Sequence, residues 1–505
     1  IIFERVSQDT VYTLRTDLFA RFQAQSHTFY DKHRIGEIMS RMTGDMEGVR
    51  NFTLTFCMTI GEQAFMFIAA VLFMGAISWP LALTTLAACV PLCAVAWAFN
   101  KKIRPAHAAV REQNAALNTR AQENIAGVRV VKAFAREPHE SERFMEDNQK
   151  ALKLNMAATY IWSNFNPIMD FLGSLGAPLV LLVGGILVRR GSLDMGSLIA
   201  AMGYIWMLVN PMRMLAHFVN VFAQGLASAE KLLYYLDLGA TVKSPVAPTL
   251  PEKDSGGVKF ENVTFAYGDQ VVLRDISFEA KPGETVAVMG ATGSGKTSLV
   301  YLMPRFYDVR SGRVLVDGVD VRAQSLPELR RKIGFVMQDT FLFSDSIEEN
   351  IAFGKPGAER ALVEKAAHIA QASDFIERLP QKWETIVGER GLGLSGGQKQ
   401  RVSIARALAF EPSVLVLDDA TSAVDMETEA LIQRGLREGR SGQTTFIIAH
   451  RISSVIHADQ ILVLDQGRVA ERGTHKELLA ARGLYYQMFM DQVRDFAGLD
   501  GKREA

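Results

Sequence analysis

Four stretches of this chain, residues 52–78, 81–99, 158–188 and 195–218, are long and predominantly apolar. About 20 such residues suffice for an α-helix to cross the roughly 30 Å hydrocarbon core of a bilayer. Lipid offers no hydrogen-bond partners, so a spanning backbone must satisfy its own groups, and uninterrupted apolar runs of this length do so as helices. Their clustering predicts an all-α transmembrane bundle over residues 1–237. A buried soluble helix is the weaker reading, because four runs lie close together.

Basic side chains set the orientation, since Lys and Arg concentrate on the cytoplasmic side of spans. Residues 1–51 carry Arg5, Arg15, Arg21, Lys32, Arg34, Arg41 and Arg50, and residues 100–157 carry Lys101, Lys102, Arg104, Arg111 and Arg120 among others. Both segments are expected in the cytoplasm, with Trp79-Pro80 and residues 191–194 outside; Arg189 and Arg190 run against this assignment. The segment from Lys102 through Phe144 reads as helix, with Gly127 its main interruption, and is far longer than a connection requires. Such a projection suggests a mechanical link to another domain.

Composition narrows the alternatives. The 55 basic and 55 acidic side chains cancel, giving no electrostatic reason to expect a nucleic-acid partner. The cysteines, Cys57, Cys89 and Cys93, all lie in apolar runs, where a thiol packs as a small hydrophobe and points to neither a disulfide framework nor a metal site. The chain opens on Ile1-Ile2-Phe3 without an initiating Met, so an N-terminal truncation is expected.

Beyond a Gly-, Pro- and Ser-rich linker at 238–257, the sequence turns to soluble α/β character over 258–505. Short β-rich runs at 258–265, 284–289 and 313–316 are expected strands. The second leads into Gly290-Ala291-Thr292-Gly293-Ser294-Gly295-Lys296-Thr297, the spacing of a phosphate-cradling loop. Its glycines let backbone N–H groups close around phosphates, Lys296 neutralises them, and the Thr297 hydroxyl suits Mg²⁺. Ser298 continues into a helix whose positive end faces the site. A second apolar strand, Val414 to Leu417, ends in Asp418, an acidic partner for the same ion. Between them stands Leu394-Ser395-Gly396-Gly397-Gln398.

That pentapeptide, set between the two phosphate motifs, resembles the ABC ATPase family, and with the preceding spans the chain resembles an ABC exporter half-transporter: a transmembrane bundle followed by an α/β P-loop ABC ATPase domain. The resemblance extends over nearly the whole chain. It implies that Tyr267 stacks on adenine, that Gln338 contacts Mg²⁺ and senses the membrane half, and that His450 is the switch histidine at the γ-phosphate. Ser422 through Asp425 matches the loop that communicates across a dimer, and Thr385 through Gly391, with Glu389 and Arg390, the exporter element that touches the membrane half. Coupling helices are implied around His27 to Arg34 and Glu123 to Phe134. Each ATP would be sandwiched between the phosphate loop of one subunit and Ser395, Gly396, Gly397 and Gln398 of the other. The family has six spans, and four are visible here. The implied setting is the cell membrane, with lipid around the bundle and the ATP-binding domain in the cytoplasm.

One position departs from the pattern. Efficient family ATPases carry Glu after the Mg²⁺-binding Asp, as the base that activates water, whereas this chain has Asp419. A side chain one methylene shorter withdraws the carboxylate by about 1.5 Å, and a misplacement near 1 Å costs on the order of 10²-fold in rate. An intact LSGGQ beside a weakened base implies one half of a heterodimer with unequal sites; a homodimer tolerating Asp is the alternative. Export of a small amphiphile is the leading expectation, multidrug ahead of lipid and peptide, against an exporter-fold importer or an ATP-gated regulatory subunit. Glu62 and Asp170, with Asn166, are candidate cavity residues, since ionisable groups in spans are costly; an interhelical hydrogen bond or an interfacial position serves as well.

Overall fold

A computed structural model describes residues 2–388, 391, 393–439 and 442–497. The chain forms two compact units, residues 1–24 with 33–238 and residues 25–32 with 239–505. The first is helical. After α1 (Ile2–Gln23) the short α2 (His27–Lys32) belongs to the second unit, and the chain returns to the first with α3 (Ile35–Ile77). Then come α4 (Trp79–Ala126), α5 (Val128–Ala133), α6 (Glu137–Ser174), α7 (Gly176–Arg189) and α8 (Met195–Asp237).

Among the described residues, four helical segments are long and apolar enough to cross a membrane: α3, α4, α6 continuing into α7, and the start of α8. At 1.5 Å per residue the 48-residue α4 is about 70 Å long, more than twice the hydrocarbon thickness. Its polar half must therefore leave the bilayer. That half packs antiparallel on α6 through buried Ile103, Val110 and Ala158. Farther out, Arg120 Nε donates to Asp147 at 2.6 Å and Asn124 donates to Glu140 at 3.0 Å.

The projection is broken twice, not only at Gly127. Residues 134–136 form a second reversal with Ala135 at φ 49°, and α6 restarts with Pro138 in its first turn. Proline is pre-organised there because its missing N–H would be unpaired anyway.

In the spans, the core of Met74, Leu81, Leu92, Val180, Leu198, Ile205 and Leu208 relies on small residues for close helix approach. A Cβ added at Gly184 would lie 2.2 Å from Leu198. Cys89 is buried in this core, and Cys93 Sγ lies 3.4 Å from Met212 Sδ. The Cys57 side chain lies outside the description.

The second unit is built on two sheets. β1 (Val258–Tyr267), β2 (Gln270–Ala280), β4 (Ser311–Val316) and β5 (Val319–Asp320) form an antiparallel sheet ordered β2-β1-β4-β5. The other is ordered β10-β9-β3-β8-β7-β6, from β3 (Thr285–Gly290), β6 (Ile333–Val336), β7 (Val414–Asp418), β8 (Thr444–Ile448), β9 (Gln460–Asp465) and β10 (Arg468–Gly473). All but β10 run parallel. β3, β7 and β8 are buried at every position, which is why they read as continuous rather than alternating apolar runs. Open α/β sheets bind ligands outside the carboxyl ends of their strands. Here the ends of β3, β6, β7 and β8 present Gly290, Gln338, Asp418 and His450 on one edge.

Candidate functional site

The loop between β3 and α9 (Lys296–Tyr301) needs its glycines for steric reasons. Gly290 has φ 146°, and a Cβ there would lie 2.2 Å from the Leu464 carbonyl oxygen; at Gly295, φ 100°, it would lie 2.7 Å from Leu273. Lys296 is 6% exposed, and its Nζ donates to the Gly290 and Ala291 carbonyls at 2.9 and 3.0 Å. Burial holds this ammonium below its ordinary range, opposed by Asp418 and Asp419.

Across the loop, Thr297 Oγ1 donates to Asp418 Oδ1 at 3.3 Å. Asp418 is 1% exposed, and its Oδ2 is buried with no hydrogen-bond partner among the described residues. Burial pushes its pKa up to about 6 even though the Thr297 hydrogen bond pulls the other way. A buried carboxylate oxygen with a free lone pair beside a hydroxyl, both hard oxygen donors, fits Mg²⁺ chemistry.

These groups line a cavity of about 290 Å³ that takes in Thr292, Gly293, Gly295, Lys296, Thr297, Ser298, Gln338, Asp418, Asp419 and His450. Gln338 and His450 follow the ends of β6 and β8 and are exposed. Asp419 has φ 49°, its N–H donating to Ile448 O at 3.0 Å while its carbonyl accepts from Ser422 Oγ. Burial raises the pKa of Tyr267, whose hydroxyl lies 3.3 Å from Ser298 Oγ.

Ser395, Gly396, Gly397 and Gln398 are not among the residues lining that cavity. Ser395 instead caps α10 (Gly396–Ala409): its side chain accepts from Gln398 N, and Gln398 Oε1 accepts from Ser395 N at 2.8 Å. This reciprocal cap satisfies the Ser395 and Gln398 amides, while Ser395 and Gly396 are exposed at the start of the helix, and a helix N-terminus suits an anion. Asp425 caps α11 (Met426–Glu438) by accepting from Thr428 N at 2.9 Å. The intervening loop is held from both sides, Gln400 bonding Ser422 Oγ and Ala423 N while Arg451 reaches Glu429 and the Ser422 carbonyl. Glu389 and Arg390 lie outside the described residues.

Three supporting residues carry no motif in the sequence. Gln492 brackets the switch segment, donating to His450 O at 2.6 Å and accepting from Ile452 N at 2.9 Å. Arg451 and Gln400 hold the loop before Asp425 as described. Each contact joins residues at least 22 apart, and none could be read from local sequence.

Comparison with known proteins identifies the arrangement. The ABC transporter transmembrane region matches residues 1–212, and the ABC transporter domain matches residues 273–422. An uncharacterized ABC transporter ATP-binding protein of Bacillus subtilis is 41% identical over 96% of this chain and 83% of the relative. The chain belongs to the ABC transporter family. A probable multidrug resistance ABC transporter ATP-binding/permease protein of the same organism is 39% identical over 95% of this chain and 82% of its own. The solved structure of a bacterial Atm1-family ABC exporter with ATP bound matches at TM-score 0.85 and 33% identity, covering 97% of this chain and 87% of that one. The chain is thus an ABC exporter half: a membrane-spanning unit fused to a cytoplasmic ATP-binding unit, coupling ATP hydrolysis to export across the cell membrane. Half-transporters of this kind work as dimers.

Proposed function

We propose that this half-transporter exports a drug-like or lipid-like amphiphile, pairing with a second half-transporter and holding one ATP between the phosphate loop of one chain and the LSGGQ segment of the other. The observation that carries the nucleotide reading is the buried, unpartnered Oδ2 of Asp418 beside Thr297. Thr297, Gln338 and Asp418 would hold Mg²⁺, which when bound neutralises charge on the phosphates. Lys296 and the loop amides grip the β- and γ-phosphates, Tyr267 stacks on the base, and His450 donates toward the γ-phosphate. Asp419 positions water at this chain's own site, one methylene short of the reach of Glu.

Two features support a partner. The start of α10 is exposed at Ser395 and Gly396 and does not line this chain's own cavity. The tip of the α4–α6 projection also exposes Ile125, Val130 and Phe134 at 75%, 62% and 73%, an apolar surface that needs cover. The weakened base with an intact signature favours a heterodimer, in which this chain's Ser395 completes the partner's faster site.

For the substrate, the span residues Glu62 and Asp170 support a cationic amphiphile, and a relative named for multidrug resistance supports a drug-like one. Asn166 donates to Asp170 at 3.1 Å within α6, while Asn210 donates to Gln63 at 3.2 Å between α8 and α3. The test is vesicle transport by the half-transporter assembled with its partner. Outward movement of a cationic amphiphile that falls in Glu62→Gln supports the reading; inward movement, or transport unchanged in that variant, contradicts it.

A further inference from the structure

The second unit contains an aromatic cluster that joins the base side of the site to α2. Tyr307 is 8% exposed, and its hydroxyl donates to Asp31 Oδ2 at 2.7 Å. Asp31 lies in α2, the helix that packs within this unit. One turn earlier the His27 ring stacks on Phe306, centroids 4.0 Å apart and planes 24° apart. On its other side Tyr307 meets Tyr267 edge-to-face, at 5.1 Å and 88°.

Tyr267 is 39% exposed, so its orientation is not imposed by a closed core. Three neighbours meet it: the Phe265 ring, edge-to-face at 4.8 Å, the Tyr307 ring, and Ser298 Oγ at 3.3 Å from its hydroxyl; of these only Tyr307 leads on to α2. Edge-to-face aromatic pairs are directional, which lets one ring set the plane of the next. Tyr307 is itself pinned at its far end by a charge-assisted hydrogen bond to a carboxylate. Burial and the bond to Asp31 both push the Tyr307 hydroxyl well above the usual phenol range, keeping it a donor. A displacement of α2 would therefore remove the polar anchor of Tyr307, leaving its ring contacts with Phe265 and Tyr301, and loosen the edge-to-face contact it makes with Tyr267.

We propose that Tyr307 is a positioning residue that holds Tyr267 in place as the adenine platform, and that Asp31 of α2 locks it there. Coupling between sites is reciprocal. If α2 steadies the platform, base binding steadies α2, and this cytoplasmic helix senses the base of the nucleotide and not only its phosphates. The inference rests on reading Tyr267 as the platform.

The experiment compares ATP with inorganic tripolyphosphate, which engages the phosphate loop but has no base, in the intact chain reconstituted in lipid nanodiscs with Mg²⁺. Tyr307→Phe removes the hydroxyl and keeps the ring; Asp31→Ala removes the acceptor at an exposed position of α2. Each is expected to weaken ATP by between about two- and ten-fold, one hydrogen bond's worth, while tripolyphosphate affinity holds. The double variant is expected to be no weaker than either single one. Tyr267→Ala separates the two readings: if it leaves the ATP-to-tripolyphosphate ratio unchanged, the platform itself is wrong. If Tyr267→Ala shifts that ratio but Tyr307→Phe or Asp31→Ala does not, or if either weakens both ligands equally, the platform stands and the positioning role is overturned. Thermal unfolding midpoints for Asp31→Ala guard against reading a folding defect as a base effect.

Discussion

Replacing Asp419 by Glu should accelerate this chain's own ATP site, and the structure bounds the gain. The Asp419 backbone is held on both sides, its N–H by Ile448 O at 3.0 Å and its carbonyl by Ser422. An added methylene is therefore not absorbed by backbone movement; it carries the carboxylate about 1.5 Å farther from the chain. If that restores the position from which water is activated, the chemical step should rise by on the order of 10²-fold. An opposing cost arises because residue 419 has φ 49°, a left-handed conformation that Asp tolerates better than Glu, worth about 1 kcal/mol. A domain of this size should then lose roughly 2–4 °C in unfolding midpoint. The assay is single-turnover phosphate release by the assembled half-transporter in lipid, with ATP affinity measured in parallel. Faster release, unchanged affinity and a slightly lower midpoint are expected. Release no faster than wild type, with nucleotide still bound, would refute the claim that side-chain length limits the site.

Two further outcomes follow from the supporting contacts. Gln492→Ala frees the His450 and Ile452 backbone groups it brackets, so phosphate release should fall about ten-fold with ATP affinity unchanged; Gln492→Glu keeps the acceptor but not the donor and should fall between. Gly290→Ala places a Cβ 2.2 Å from Leu464 O at φ 146°, which should cost more than about 2 kcal/mol of stability, seen as a lowered unfolding midpoint together with lost ATP binding.

The parts legible in the sequence are those whose chemistry is contiguous or anchored to a strongly patterned element. Gly290 through Thr297 declares itself because a phosphate cradle needs its glycines and lysine at fixed spacing. Asp418 follows a short, fully apolar run and His450 a mostly apolar one, which is how buried parallel strands read, while the role expected of His450 came from the family resemblance. The spans were legible from length and apolarity alone. Contacts that join distant residues without a motif were not. Asp31 and Tyr307 are 276 positions apart, and nothing local marks the aspartate as a partner. Gln492 sits on a late helix whose pattern says only that it is amphipathic. The second break in the projecting helix did have a signal, Pro138, but Gly127 is the more conspicuous breaker and drew the boundary. The grouping of α2 with the ATP-binding unit depends on tertiary packing, since six residues of helix carry too little periodicity to show where they dock.

The central claim is that one ATP is gripped by two chains, and vanadate-dependent photocleavage tests it directly. The half-transporter, assembled with its partner in lipid nanodiscs, would be trapped with Mg²⁺, ATP and vanadate, irradiated, and its cut sites mapped by mass spectrometry. Vanadate occupies the γ-phosphate position, so cleavage is expected at a phosphate loop and also within residues 395–398 of this chain. Cleavage confined to phosphate loops, with residues 395–398 intact in every trapped complex, would contradict it.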